Sequence, residues 1–237
     1  MSFESKYAAQ QASQGRKVHT GLPMLFGHTK SDGLLFTPPW ARSDDDVRAH
    51  LRTLFPNITK SALDQVIDEY AAPSSSSARA NVDRFATLLD DATIRCNSHY
   101  LAEASLASNT RIYHSVFKYE FNVPPATHGA DLSYTYASHP PQNGVDEKLA
   151  LFTQDALVDF IRYVDPNPED VDTWRAYTKD NRKAMNLGDP KDGSAKTVYG
   201  DEQLDVEKCE FWRGLGLFGG KSEEGFGRNR FVVQELK

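Results

Sequence analysis

The chain has 237 residues, 39% of them hydrophobic and 11% aromatic, enough to bury a real core in one large α/β domain or two small ones. Lys and Arg number 27 against 33 Asp and Glu, a formal charge of −6, so no global positive field recruits nucleic acid or an acidic membrane. No apolar run is long enough to cross a bilayer. The two cysteines, Cys96 and Cys209, form no C-x-x-C pair of the zinc or thioredoxin kind, and are either two buried thiols or one long-range bridge.

Residues 1–20 form a polar amino-terminal segment, frayed or briefly helical through Ala8 to Ala12, and the domain is expected over 21–237. The segment lacks the apolar centre of a secretory signal, so the expectation is cytoplasmic, or extracellular if the chain is a fragment of a longer precursor. From Gly21 the texture changes. Leu22 to Gly27 is a short apolar run of the buried-strand kind. Asp32-Gly33 follows as an expected turn that projects a carboxylate from the strand end, with Gly33 in a backbone shape closed to most residues.

Ser43-Asp44-Asp45-Asp46 opens a helix through Val47, Leu51, Leu54 and Phe55, which Pro56 ends. Thr59 caps a second helix carrying Leu63, Val66, Ile67 and Tyr70, closed by Pro73. The serines of Pro73 to Ser77 have no glycine-framed strand-to-helix turn to expose a strained hydroxyl, and read as a surface loop. A longer helix is expected from Val82 to about Ser105, with Asp90 and Arg95 inside it either paired or facing water.

The stretch Thr110 to Tyr136 organises the rest. Its β-branched and aromatic start reads as a strand buried on both faces, stopped at Val123-Pro124-Pro125 because proline offers no N–H to a ladder. His128-Gly129 lies just beyond, where open α/β sheets place ligand-facing groups. Ser138 to Asp146 is a Pro-, Asn- and Gly-containing connection. Glu147 to Tyr163 is a helix with Leu149, Phe152, Leu157, Phe160 and Ile161 on a recurring face. Met185–Leu187 and Thr197–Tyr199 are expected as paired strands, and Phe231–Val233 as a strand in a glycine-rich tail. GKSEEGFG lacks the framing of a phosphate loop. Trp40, Tyr119 and Phe121 are read as packing aromatics, with a place near a cleft as the alternative.

Two of these segments resemble the type B carboxylesterases, the α/β-hydrolase family of cholinesterases and fungal esterases. YHSVFKYEF followed by HGADLSYTY is similar to the family's Y-x-Y-x-F strand and His-Gly loop. GHTKSDGLLF is similar to its G-x-N-x-x-E-G-x-x-F segment, with Gly27, Gly33 and Phe36 matching. The resemblance implies His128 as general base and Asp32 as the acid that orients it. Asp131 and Tyr136 fall on the acidic and aromatic positions after the histidine. His28 and Thr29 depart from the commoner small residue and Asn, and both acids are Asp where Glu is usual. DDATIRCNSHYLAEA is similar to the family's helix before its last catalytic strand, with Cys96 on a common cysteine. Trp174 to Tyr177 resembles an aromatic segment of the family, and CEFW its fungal branch at the final helix.

The implied fold is a partial α/β-hydrolase fold, the carboxy-terminal part of the sheet with a helical excursion, covering roughly Leu22 to Leu215. Acid and histidine stand 96 residues apart, in the hydrolase order. The G-x-S-x-G nucleophile elbow is absent from every window, as is the upstream Gly-Gly segment of the oxyanion hole. The implied activity is therefore carboxylic ester hydrolysis, with this chain inactive by itself. The alternative is a non-catalytic interaction module on the same scaffold. No metal or organic cofactor is implied. The implied partners are a small-molecule ester and either a missing amino-terminal half or a self-association partner.

Overall fold

The computed structural model describes residues 22–71, 78–107, 115–141, 144–167, 173–201 and 204–217. The polar segment 1–20, the serine loop, the first residues of the Thr110 stretch and the glycine-rich tail with Phe231–Val233 lie outside them.

Strand β1, Met24–Thr29, uses the first apolar run almost as expected. A five-residue helix α1, Asp32–Phe36, follows at once and corrects the expected Asp32-Gly33 turn. Gly33 is helical, and its need is space: a Cβ there would lie 2.1 Å from the Ala86 carbonyl oxygen and 2.7 Å from the Asp90 nitrogen. Glycine is required because two backbones touch, not because of a special φ.

The helical excursion forms as its caps dictate. Helix α2, Asp44–Leu54, starts from a reciprocal box in which the Ser43 hydroxyl accepts the Asp46 N–H and the Asp46 carboxylate accepts the Ser43 N–H. Helix α3, Lys60–Glu69, starts where the Thr59 hydroxyl accepts the Ala62 N–H. The expected long helix is present, but in three contiguous parts: α4, Ala78–Leu89; a π turn, Asp90–Arg95; and α5, Cys96–Ala107. Leu51, Leu63, Val66, Phe85, Leu88 and Leu89 are at most 1% exposed and build a core with Trp212 of the last helix, α8, Val206–Gly214. Cys96 and Cys209 are joined by a disulfide, their Cα atoms 5.2 Å apart, which fastens α5 to α8 across this core. The bridge resolves the choice that spacing alone left open.

Strand β2, Val116–Phe121, lies beside β1 in parallel, Met24 opposite Val116 and Thr29 opposite Phe121. Strand β3, Lys183–Leu187, continues in parallel on its other side, and β4, Thr197–Asp201, closes antiparallel to β3 as the paired-strand reading expects. The order is β1-β2-β3-β4. Phe117, Phe121, Met185 and Leu187 face helix α7, Glu147–Tyr163, which contributes Leu149, Ala150 and Ala156 to a second core. Side chains alternate along a strand, so Val116 turns to the opposite face and packs with Ala102 of α5. Lys118 and Glu120, on that same face, are fully buried. Tyr119 and Phe121 pack as expected, whereas Trp40 is 59% exposed. Among the described residues no helix is long and apolar enough to cross a membrane.

Candidate active site

Parallel pairing brings the carboxyl ends of β1 and β2 side by side, and the loops that leave them are stapled together. The Lys30 N–H donates to the Phe121 carbonyl and the Ser31 N–H to that of Ala126, each at 2.9 Å, and Ser31 and Thr127 form a parallel bridge. Asp32 and His128, 96 residues apart in sequence, therefore emerge from adjacent points on one rim. Gly129 sits at φ 79°, a left-handed turn that costs glycine little and lets the chain double back behind the histidine. The turn leads into the short helix α6, Leu132–Thr135.

Asp32 is 2% exposed and both its oxygens are engaged. One lies 2.8 Å from His128 Nδ1, and the other accepts the Thr29 N–H at 2.9 Å. A carboxylate facing Nδ1 assigns the ring proton to that nitrogen and leaves Nε2 as the acceptor. The His128 side chain remains 49% exposed, and the ring of Phe36 stands against it at 5.0 Å between centroids. One face of the imidazole is thus packed while the ring stays accessible. A histidine held in this way can accept a proton at Nε2 from a hydroxyl brought to it.

The other residues matched by resemblance go elsewhere. Asp131 accepts the Tyr119 hydroxyl at 2.9 Å, which, after burial, raises that phenol's pKa further. Tyr136 is 79% exposed. Asp90 and Arg95, left open between pairing and solvent, stand 3.9 Å apart, Asp90 buried and Arg95 partly buried, and Asp90 also accepts the Gly33 N–H directly behind Asp32. Nothing local in the sequence marks that contact, because it joins residues 57 positions apart across a helix–helix approach.

His99, Glu103 and Glu210 bring potential metal-ligand atoms within 4.8 Å of one another. Arg213 already pairs with Glu103 at 2.7 Å and with Glu210 at 3.0 Å, so the cluster works as an ionic clasp between α5 and α8.

The comparisons with known proteins follow the same lines. The model of the carboxylesterase family matches residues 4–212. No curated protein sequence matches. The fold is similar to the crystal structure of Aspergillus niger EstA, with a TM-score of 0.67 and 18% identity, covering 86% of this chain and 41% of that one. The chain thus spans well under half the length of that structure, and the likeness carries the mixed sheet with its helices, a partial α/β-hydrolase fold. With its strand order, helical excursion and family match together, the chain belongs to the carboxylesterase family.

Proposed function

We propose that this chain supplies the acid–base half of a carboxylic ester hydrolase. His128 is the general base and Asp32 the acid that fixes its tautomer and stabilises the imidazolium. A serine supplied from outside these 237 residues loses its proton to Nε2 and attacks the ester carbonyl. The imidazolium returns that proton to the leaving alcohol, and water then repeats the sequence to release the acid. The observation that supports this reading is the 2.8 Å contact between His128 Nδ1 and buried Asp32, with the ring still half open to solvent.

Because no G-x-S-x-G elbow stands in the sequence, the chain alone is expected to be inactive. The test compares its rate on a short acyl ester with that of His128→Ala. Equal rates are expected, and a rate lost in the variant would refute inactivity. Fluorophosphonate labelling of the protein from its native source then addresses the hydrolase reading. A labelled species heavier than 26.5 kDa that contains this sequence supports it, while an unlabelled species of 26.5 kDa favours the interaction module.

A further inference from the structure

Behind the dyad a chain of polar contacts, buried except around Arg95, runs from the disulfide-linked helix to Asp32. Trp212 Nε1 donates to the Tyr70 hydroxyl at 2.8 Å, and that hydroxyl donates to Asp91 at 2.8 Å. Arg95 donates to Asp91 at 3.1 Å and, through its other terminal nitrogen, to the Lys30 carbonyl at 3.0 Å. Asp90, 5% exposed, accepts the Gly33 N–H. The π turn thus grips the chain on both sides of Asp32, at Lys30 and at Gly33. The missing Cβ of Gly33 is what allows the approach.

We propose that Asp90 is a positioning residue for the dyad: through the Gly33 N–H it sets where Asp32 stands, and its protonation state is transmitted to the Asp32 carboxylate. The proposal rests on the hydrolase reading only in naming Asp32 as the acid of that dyad. Asp90 faces Asp32 from α1 and Asp91 and Arg95 within its own turn. Lys30, Asp83 and Glu120 line, with Asp90 and Arg95, a cavity of about 370 Å³ that opens to solvent, so protons exchange there. Burial foremost, with the charges of Asp32 and Asp91 and against the pull of Arg95 and the Gly33 N–H, holds the Asp90 carboxyl up at about 7. A neutral carboxyl is a weaker acceptor for that N–H than an ionised one, and α1 is the element that registers the difference.

The test is amide NMR of the chain across pH. The Gly33 amide reports its bond to Asp90, and the Thr29 amide reports the Asp32 carboxylate through its 2.9 Å contact. The expected result is one step in both signals with a shared midpoint near 7. The step should survive His128→Ala, which removes the imidazole beside Asp32, and vanish in Asp90→Asn, which keeps an acceptor oxygen but cannot ionise. A Gly33 step with a flat Thr29 signal in wild type, or a Thr29 step lost in His128→Ala, would overturn the proposal without recourse to any Asp90 variant. Persistence of both steps in a folded Asp90→Asn would do the same. None of these signals depends on ester turnover, so the proposal and the hydrolase reading fail separately.

Discussion

The helical side of the molecule and the rim that carries the dyad are finished to different degrees. Around α2 to α5 and α8 the core is closed: Leu51, Leu63, Val66 and Phe85 are fully buried, and a disulfide spans the layer. Around the dyad, Leu35, Phe36, Trp40, Leu132 and Tyr136 are 47–79% exposed. Strand β1, though parallel to its one described neighbour, forms the outer edge of the sheet. Met24 and Lys30 donate their N–H groups towards β2, so by alternation those of Leu25 and Gly27 point away from it. Parallel strands are normally covered on both sides. Stability is therefore concentrated in the helical layer, and the His128–Asp32 pair lies where, among the described residues, apolar surface stays exposed.

The largest expected effect tests the rim. In a protein completed with its nucleophile, His128→Ala or Asp32→Ala should lower kcat by about 10⁴-fold or more with little change in melting temperature, as for members of a triad that act as a unit. Steady-state kinetics with thermal denaturation checks this. A large loss of stability in either variant would show that the dyad holds the fold together as well.

Next comes the helical layer. The Cys96–Cys209 bridge links residues 113 positions apart, and removing it in a Cys96→Ser, Cys209→Ser double variant should cost about 4–5 kcal/mol. Phe85→Ala, at a fully buried site, should cost about 3–5 kcal/mol. Urea denaturation measures both. If both left the chain as stable as wild type, the contrast between a closed layer and an open rim would be lost.

Between the two regions lies a buried polar layer that should give stability two opposed pH dependences. The Asp90 carboxyl is raised from 3.8 to about 7, so the fold binds its proton more tightly than the unfolded chain does. That stabilisation is complete below about pH 4 and is lost as pH rises through about 7. His28, 4% exposed, is held well below 6.5 by burial and then by the charges of Lys118 and Arg95. Its contribution is complete above 6.5 and is lost as pH falls below that value. Melting temperatures from pH 4 to 8 should therefore change slope oppositely in two variants. Asp90→Asn should remove a fall towards high pH, and His28→Leu a fall towards low pH.

The smallest effect sharpens the comparison from the exposed side. Trp40→Ser should change stability by no more than about 0.5 kcal/mol, because the indole is 59% exposed, while reducing any self-association of the rim measured by sedimentation.

Much of this organisation was legible because it is local. Ser43 and Thr59 cap the helices they precede, Pro124 and Pro125 end β2, and alternating apolar residues mark the buried strands. Spacing and motif brought out Asp32 and His128, since an acid after one strand and a His-Gly pair after another meet only if the strands run parallel and adjacent. The sequence by itself therefore determined most of the strands and helices, their caps and the pairing of Asp32 with His128. Only the tertiary structure decided what depends on contact between distant backbones. It made Asp32-Gly33 a helix start pressed against Ala86, where the isolated dipeptide reads as a turn. It joined Cys96 to Cys209, and it put Asp90 behind the acid through a π turn that no periodicity announces. The physical reason is common to all three: caps and strand periodicity act within a few residues, whereas close approach and burial are set by how the layers pack.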